Sequence, residues 1–112
     1  MVSYFKLDDI ESIPTAHAAG LKKVLSRGHA DLTRLTQIAW GSLRPQEEIP
    51  MHSHDDMEEC FFFIKGMGIM IVSEQEFILS KDVFLIVPPK AAHFIKCTGE
   101  ELQFFYFGLQ VY

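Results

Sequence analysis

Two histidines one residue apart, His52-Ser53-His54, precede the run Asp55-Asp56-Met57-Glu58-Glu59, and together they are the part of this sequence best suited to chemistry. In an extended chain the side chains alternate with period two, so a His-x-His pair presents both imidazoles on one face. Two such rings can converge on one ion, and a carboxylate a few residues later adds a hard oxygen ligand that offsets part of its charge. Imidazole with carboxylate suits zinc, iron, nickel, copper or manganese and matches calcium poorly. Further along, the stretch from Asp82 through Pro88-Pro89-Lys90 to His93 reads as a buried strand, a proline-made turn and a lone histidine opening another strand. Held on such a rigid element, His93 meets what a fourth ligand requires. Glu58 and Glu59 compete for the carboxylate role. Strict strand parity from His52 and His54 favours Glu58, but a turn at Asp55-Asp56 resets that parity.

These residues need strands to hold them, and the pattern supplies strands. Residues 4–7 and 21–26 read as short extended pieces joined by the turn-rich segment 13–20. Residues 32–40 fit a strand better than a short helix, because Thr33, Thr36 and Ile38 are β-branched and Trp40 precedes a stop at Gly41. One face of that strand carries Leu32, Arg34, Thr36, Ile38 and Trp40. Residues 59–65 form an apolar-aromatic run that turns at Gly66-Met67-Gly68 into a return strand over 69–73, a hairpin pattern. Strands over 75–79 and 82–87 follow, and Pro88-Pro89 ends the pairing because proline has no amide hydrogen to donate. Residues 94–96 and 102–112 complete the series. Short strands with a turn about every ten residues indicate a sandwich or barrel. The expected class is all-β, with residues 1–112 forming one domain.

The same residues resemble the motifs of the cupin superfamily. Its first motif is a glycine, a spacer, His-x-His, a short gap, a glutamate, six residues and a glycine. This chain matches it with His52-Ser53-His54, Glu59 and, six residues on, Gly66; Gly41 lies further upstream than the family's first glycine. The second motif is matched by Pro88-Pro89-Lys90 and His93, while Asp82 and Lys90 replace glycines and Cys97 replaces an asparagine. None of the three departures falls on a ligand of the family pattern. Lys90 requires either a turn that avoids positive φ or a tolerated strain. The resemblance covers roughly residues 41 to 97 by motif. It implies a double-stranded β-helix (jelly-roll) barrel, Glu59 as the carboxylate, and a divalent transition metal (iron, manganese, nickel, zinc or cobalt) held by His52, His54, Glu59 and His93.

A net charge of −5 argues against nucleic acid or an anionic membrane as main partner. The small basic cluster at Lys22-Lys23 reads as a solvated face. His17 and His29 sit in turn-like segments without a paired ligand and read as solvent-facing. Cys60 and Cys97 are too few for a disulfide scaffold and read as small core residues. The N-terminus lacks the pattern of a signal peptide, and no run approaches a bilayer span, so a cytoplasmic location is expected. The ten phenylalanines include Phe61-Phe62-Phe63 and Phe104-Phe105. Consecutive aromatics on a strand point to both faces, so one face must pack outside the barrel. A homodimer meets that need, as does the resemblance to small cupins, with the strands within 1–40 packing on or exchanging at the interface.

Three histidines and one glutamate leave coordination positions open to water or substrate, which separates catalytic metal sites from structural ones. Small cupins include dioxygenases, isomerases, epimerases and decarboxylases, and also members that only bind ligands. The resemblance thus implies either a metalloenzyme acting on a sugar, hydroxy acid or keto acid, or a non-catalytic small-ligand sensor. A purely structural metal is disfavoured, because closed structural sites usually use cysteine.

Overall fold

The computed structural model describes residues 3, 5–17, 19–28 and 34–111. Ten strands form there: β1 Ile13–Pro14, β2 Leu21–Ser26, β3 Leu35–Leu43, β4 Glu48–His52, β5 Met57–Lys65, β6 Gly68–Val72, β7 Gln75–Leu79, β8 Phe84–Val87, β9 His93–Cys97 and β10 Leu102–Gln110. They make two antiparallel sheets, ordered β1-β2-β3-β10-β5-β8 and β4-β9-β6-β7. The sheets face each other as a jelly-roll barrel.

Strand alternation builds the space between them. On β5, Glu59, Phe61 and Phe63 point inward while Glu58, Phe62 and Ile64 are less buried. Phe104 of β10 pairs with Phe63 and Gly41, and its ring lies 5.2 Å from that of Phe63. Met70, Leu79 and Ile95 close the core from the second sheet. Both cysteines are buried and free, as expected of small core residues. Cys97 points its thiol at the carbonyls of Gly99 and Glu100, away from the histidines. The aromatic runs do serve both faces: Trp40 meets Phe105 edge-on at 4.6 Å outside, while Phe61 stacks on Tyr106 at 5.7 Å inside.

Several expectations need correction. No strand forms at residues 5–7; Leu7–Asp9 is a single 3₁₀ turn, with Asp8 and Asp9 favourably placed in its first turn, and Tyr4 lies outside the described residues. Gly41 does not stop β3, which runs on to Leu43. A Cβ at Gly41 would stand 2.7 Å from the Phe104 ring, so the glycine admits a close inward contact within the strand. The part of the 32–40 strand at Leu32 and Thr33 lies outside the described residues, as does the end of the last strand at Tyr112. The hairpin read between residues 59–65 and 69–73 is absent, because β5 and β6 belong to different sheets. Gly66 turns the chain between them at φ 95°, where a Cβ would meet the Glu101 carbonyl. The true hairpin is β6-β7, closed by Ser73-Glu74 with φ of 46° and 72°, the sense that the twist of a two-residue hairpin demands.

Asp82 and Lys90, which stand where the resemblance has glycines, both adopt positive φ, 72° and 69°. The strain is tolerated because the turns are tied: the Asp82 amide donates to the Phe63 carbonyl at 2.8 Å, and the Lys90 amide to the His54 carbonyl at 2.7 Å. Aspartate reaches this region with local help, whereas lysine bears the full steric cost of its Cβ. Lys90→Gly is therefore expected to stabilise the fold by about 0.5–1 kcal/mol, the relief of strain exceeding the entropy glycine adds to the unfolded chain. Urea unfolding would register this as a higher midpoint at unchanged slope; a lower midpoint would contradict it.

Candidate metal centre

His52, His54, Glu59 and His93 come together at one end of the barrel, each offering a ligand atom within 4.8 Å of the others. His52 and His93 are direct cross-strand partners on β4 and β9. That pairing exists because the ladder shifts register between Ile49 and His52. Ile49 and His52 are three apart, so regular alternation would send them to opposite faces. Pro50, unable to donate a ladder hydrogen bond, sits in the irregular stretch that returns His52 inward. Glu59 reaches across from β5 in the facing sheet. His54 hangs on the β4-β5 connection, whose bend at Asp55-Asp56 does reset the parity. Glu59 rather than Glu58 therefore joins the cluster.

The contacts within it are short. The Glu59 Oε1 lies 3.1 Å from His93 Nε2 and 3.3 Å from His54 Nε2. His93 is 1% exposed and Glu59 8%. The other ring nitrogens are taken: His93 Nδ1 donates to the Ala91 carbonyl at 3.0 Å and His52 Nδ1 to the Pro50 carbonyl at 2.8 Å. These bonds fix ring orientation and leave each Nε2 to face the cluster, the arrangement that supports a metal-bound histidine. Metal–nitrogen bonds of about 2.0–2.1 Å put neighbouring ligand atoms roughly 3–3.5 Å apart. The distances to Glu59 match that spacing, so the donor set fits a divalent ion.

Charge distribution follows from the packing. Burial works to raise the Glu59 pKa, but the His93 hydrogen bond and the surrounding imidazoles outweigh it and hold the carboxyl below its usual 4.5. Burial likewise pulls His93 down, yet its bonds to Glu59 and to the Ala91 carbonyl carry it above 6.5. His52 is lowered, first by burial and then by its neighbouring histidines. Burial, with the charge of Glu59, raises the Tyr106 phenol beside the cluster to about 12.

In the metal-free protein, the raised His93 contributes stability that is full below 6.5 and lost as pH rises through its folded value. The lowered Glu59 contributes stability present above 4.5 and lost as pH falls through its folded value. The pair therefore supports the metal-free fold most between these limits. Metal affinity should run the other way, climbing as pH rises and His93 gives up its proton. His52 and His17, held below 6.5 chiefly by burial, work the other way and favour the fold at higher pH. Melting the metal-free wild type and Glu59→Gln at pH 5.5 and 8 isolates the pair: the wild type should lose more stability than the variant on going to pH 8, while metal titrations of the wild type gain affinity. An equal change in both proteins would refute the assignment.

Two residues read as solvated belong here instead. The His17 ring lies 4.3 Å from that of His52. Both His17 and Lys22 line the cavity of about 160 Å³ that opens beside the cluster, together with Gln37, Phe61 and Tyr106. No sequence motif marks them. Only the pairing of β1 with β2, Ile13 with Lys22 and Pro14 with Leu21, folds their segment over the opening. His29 lies outside the described residues.

Among known proteins, the sequence model of the cupin domain matches residues 39–108. An uncharacterised protein of Methanocaldococcus jannaschii is 31% identical over 49 residues, which span 44% of this chain and 39% of that relative. The crystal structure of a predicted oxalate decarboxylase from Thermotoga maritima superposes with a TM-score of 0.83 at 18% identity, over 97% of this chain and all of that one. KdgF from a Halomonas species gives 0.79 at 13% identity, covering 96% and 94%. At such identities the structural likeness speaks for the fold alone. The domain match takes in more than half of the sequence and all four clustered residues, and on that ground this chain belongs to the cupin family.

Proposed function

We propose that this chain is a small metal-dependent cupin in which His52, His54, Glu59 and His93 hold one divalent transition metal ion, be it iron, manganese, nickel, zinc or cobalt. The proposed reaction is of isomerase, epimerase, decarboxylase or dioxygenase type on a small polar molecule such as a sugar, hydroxy acid or keto acid. The convergence of four donors from both sheets, with two rings pinned by backbone carbonyls, carries this reading. A bound divalent ion supplies Lewis-acid polarisation of a substrate oxygen, and iron adds dioxygen chemistry. The chain's own part is to orient and to shield. Phe61 and Phe104 wall the cavity and keep water from its apolar side, and Tyr106 remains a neutral hydroxyl there at physiological pH. Elemental analysis of protein purified without added metal, beside His52→Ala and His93→Ala, tests the assignment. Near-stoichiometric metal in the wild type alone is the expected result, and equally low metal in all three would sink it. Ligand binding without turnover on a panel of small acids and sugars would make the chain a binding cupin.

A homodimer is part of the same proposal. Phe84 and Ile86 on the edge strand β8 are 51% and 54% exposed, and Phe62 packs against Phe84 on the outer face of the same sheet. An apolar edge of this kind invites a partner. Sedimentation should find a dimer that Ile86→Lys dissociates; a monomeric wild type at high concentration would count against it.

A further inference from the structure

We infer that His17 and Lys22 form the second half of the ligand site and take the carboxylate of a small organic acid whose other end lies at His52, His54, Glu59 and His93. The inference rests on the metal reading above and narrows its ligand from polar molecules in general to carboxylate anions.

Lys22 is an inward-facing lysine. Its strand pairs it with Gly41, which pairs with Phe104, which pairs with Phe63, so one row crossing the sheet runs Lys22, Gly41, Phe104, Phe63. The last three line the interior. Its neighbour Lys23 goes the other way and donates to the Leu7 carbonyl at 2.9 Å. Gly41 has no side chain to crowd the lysine stem. Among the described residues no carboxylate forms an ion pair with Lys22, so this half-buried lysine lining the cavity is open to an anion that enters it.

His17 comes from the same segment and is held there deliberately by local bonds. The Thr15 hydroxyl donates to the Ala19 carbonyl at 2.7 Å and accepts the His17 amide at 3.2 Å. The Thr15 amide donates to the Gly20 carbonyl at 3.3 Å, and Gly20 takes φ 89° against Leu43 and Ser42. This small loop sets the ring over His52 but outside the group of four that lie within 4.8 Å. His17 therefore flanks the cluster from within the cavity lining. Lys22 lines the same cavity, so both groups address one region.

Charge and size define the guest. Among the described residues that line the cavity Glu59 is the one carboxylate, against Lys22 and a divalent ion, which leaves an excess of positive charge for the ligand to answer. The cavity of about 160 Å³ has room for a small organic molecule. A short carboxylic acid fits that volume and that sign; a neutral sugar answers neither Lys22 nor the excess charge. Both residues lie in the N-terminal segment, outside the stretch matched by the cupin domain.

The test uses the full chain loaded with Co²⁺, whose visible absorption reports ligands entering the site. Glycolate and its neutral counterpart ethylene glycol are titrated into wild type, Lys22→Met, His17→Ala and His17→Gln, with melting curves to confirm that each is folded. Wild type should prefer glycolate. Lys22→Met and His17→Ala should each weaken glycolate by about tenfold, the scale of one lost charge-assisted hydrogen bond, with Co²⁺ stoichiometry unchanged. His17→Gln should recover part of the loss through its amide. Full Co²⁺ occupancy with glycolate affinity unaltered in the variants overturns the inference and leaves the metal reading intact. Failure of the wild type to take up Co²⁺ overturns the metal reading itself, and this inference with it.

Discussion

Glu59→Gln is expected to cut metal affinity at least 100-fold while leaving a folded barrel. The carboxylate is the single anionic donor among four, and it is 8% exposed, so solvent does little to replace it. Removing residues that merely support ligands already costs 10–100-fold, which sets the lower bound for a ligand itself. Glutamine keeps the volume and a carbonyl oxygen for His93 Nε2, now 3.1 Å from Glu59. What it loses is the charge that raises His93, so the metal-free variant should lose about 1–3 kcal/mol of stability. It should also lose its preference for the interval between pH 4.5 and 6.5. Isothermal titration with Zn²⁺ and urea unfolding of the metal-free protein read the two effects separately. Wild-type affinity in Glu59→Gln would remove Glu59 from the donor set.

The second large effect belongs to the core. Phe63 is fully buried, with its ring 6.2 Å from Phe61 and 5.2 Å from Phe104. Phe63→Ala deletes most of a phenyl ring from a closely packed interior and leaves a cavity, a change costing about 3–5 kcal/mol. For a domain this size that is a substantial part of the total, and it should lower the melting temperature by roughly 12–20 °C. Phe63 also accepts the Asp82 amide and donates to the Val83 carbonyl through its backbone, bonds that alanine keeps. The loss would therefore report packing alone. A drop below 1 kcal/mol would mean that the aromatic interior repacks around the gap.

Much of the frame was legible in the chain itself. β2 falls at residues 21–26 as its residues indicate, and the strands from 75 onward lie within a residue or two of their turn signals. Period-two alternation is a local property, and proline and glycine punctuate it locally. The spacing of His52, His54, Glu59 and His93 was legible too, because each motif lies within a dozen residues and needs only one strand and one turn to present it.

Most of what failed depended on which strands meet. A turn at Gly66-Met67 reads as a hairpin until the partners of β5 and β6 are known, and those partners are β10, β8, β9 and β7. Strand parity alone favours Glu58 and the six-residue gap to Gly66 favours Glu59; the placing of β5 opposite β8 and β10 turns Glu59 inward. His17 and Lys22 look like surface residues in a basic, turn-rich stretch, since nothing near them in sequence is a ligand. Short-range spacing and turn chemistry encode β2, the strands from β5 onward and the four candidate donors, although they also suggest a strand at residues 5–7 that does not form. Three-dimensional packing supplied what no spacing could: the carbonyls that orient His52 and His93, and the N-terminal segment that brings His17 and Lys22 to the cavity. Those depend on register between strands far apart in the chain, which no local pattern records.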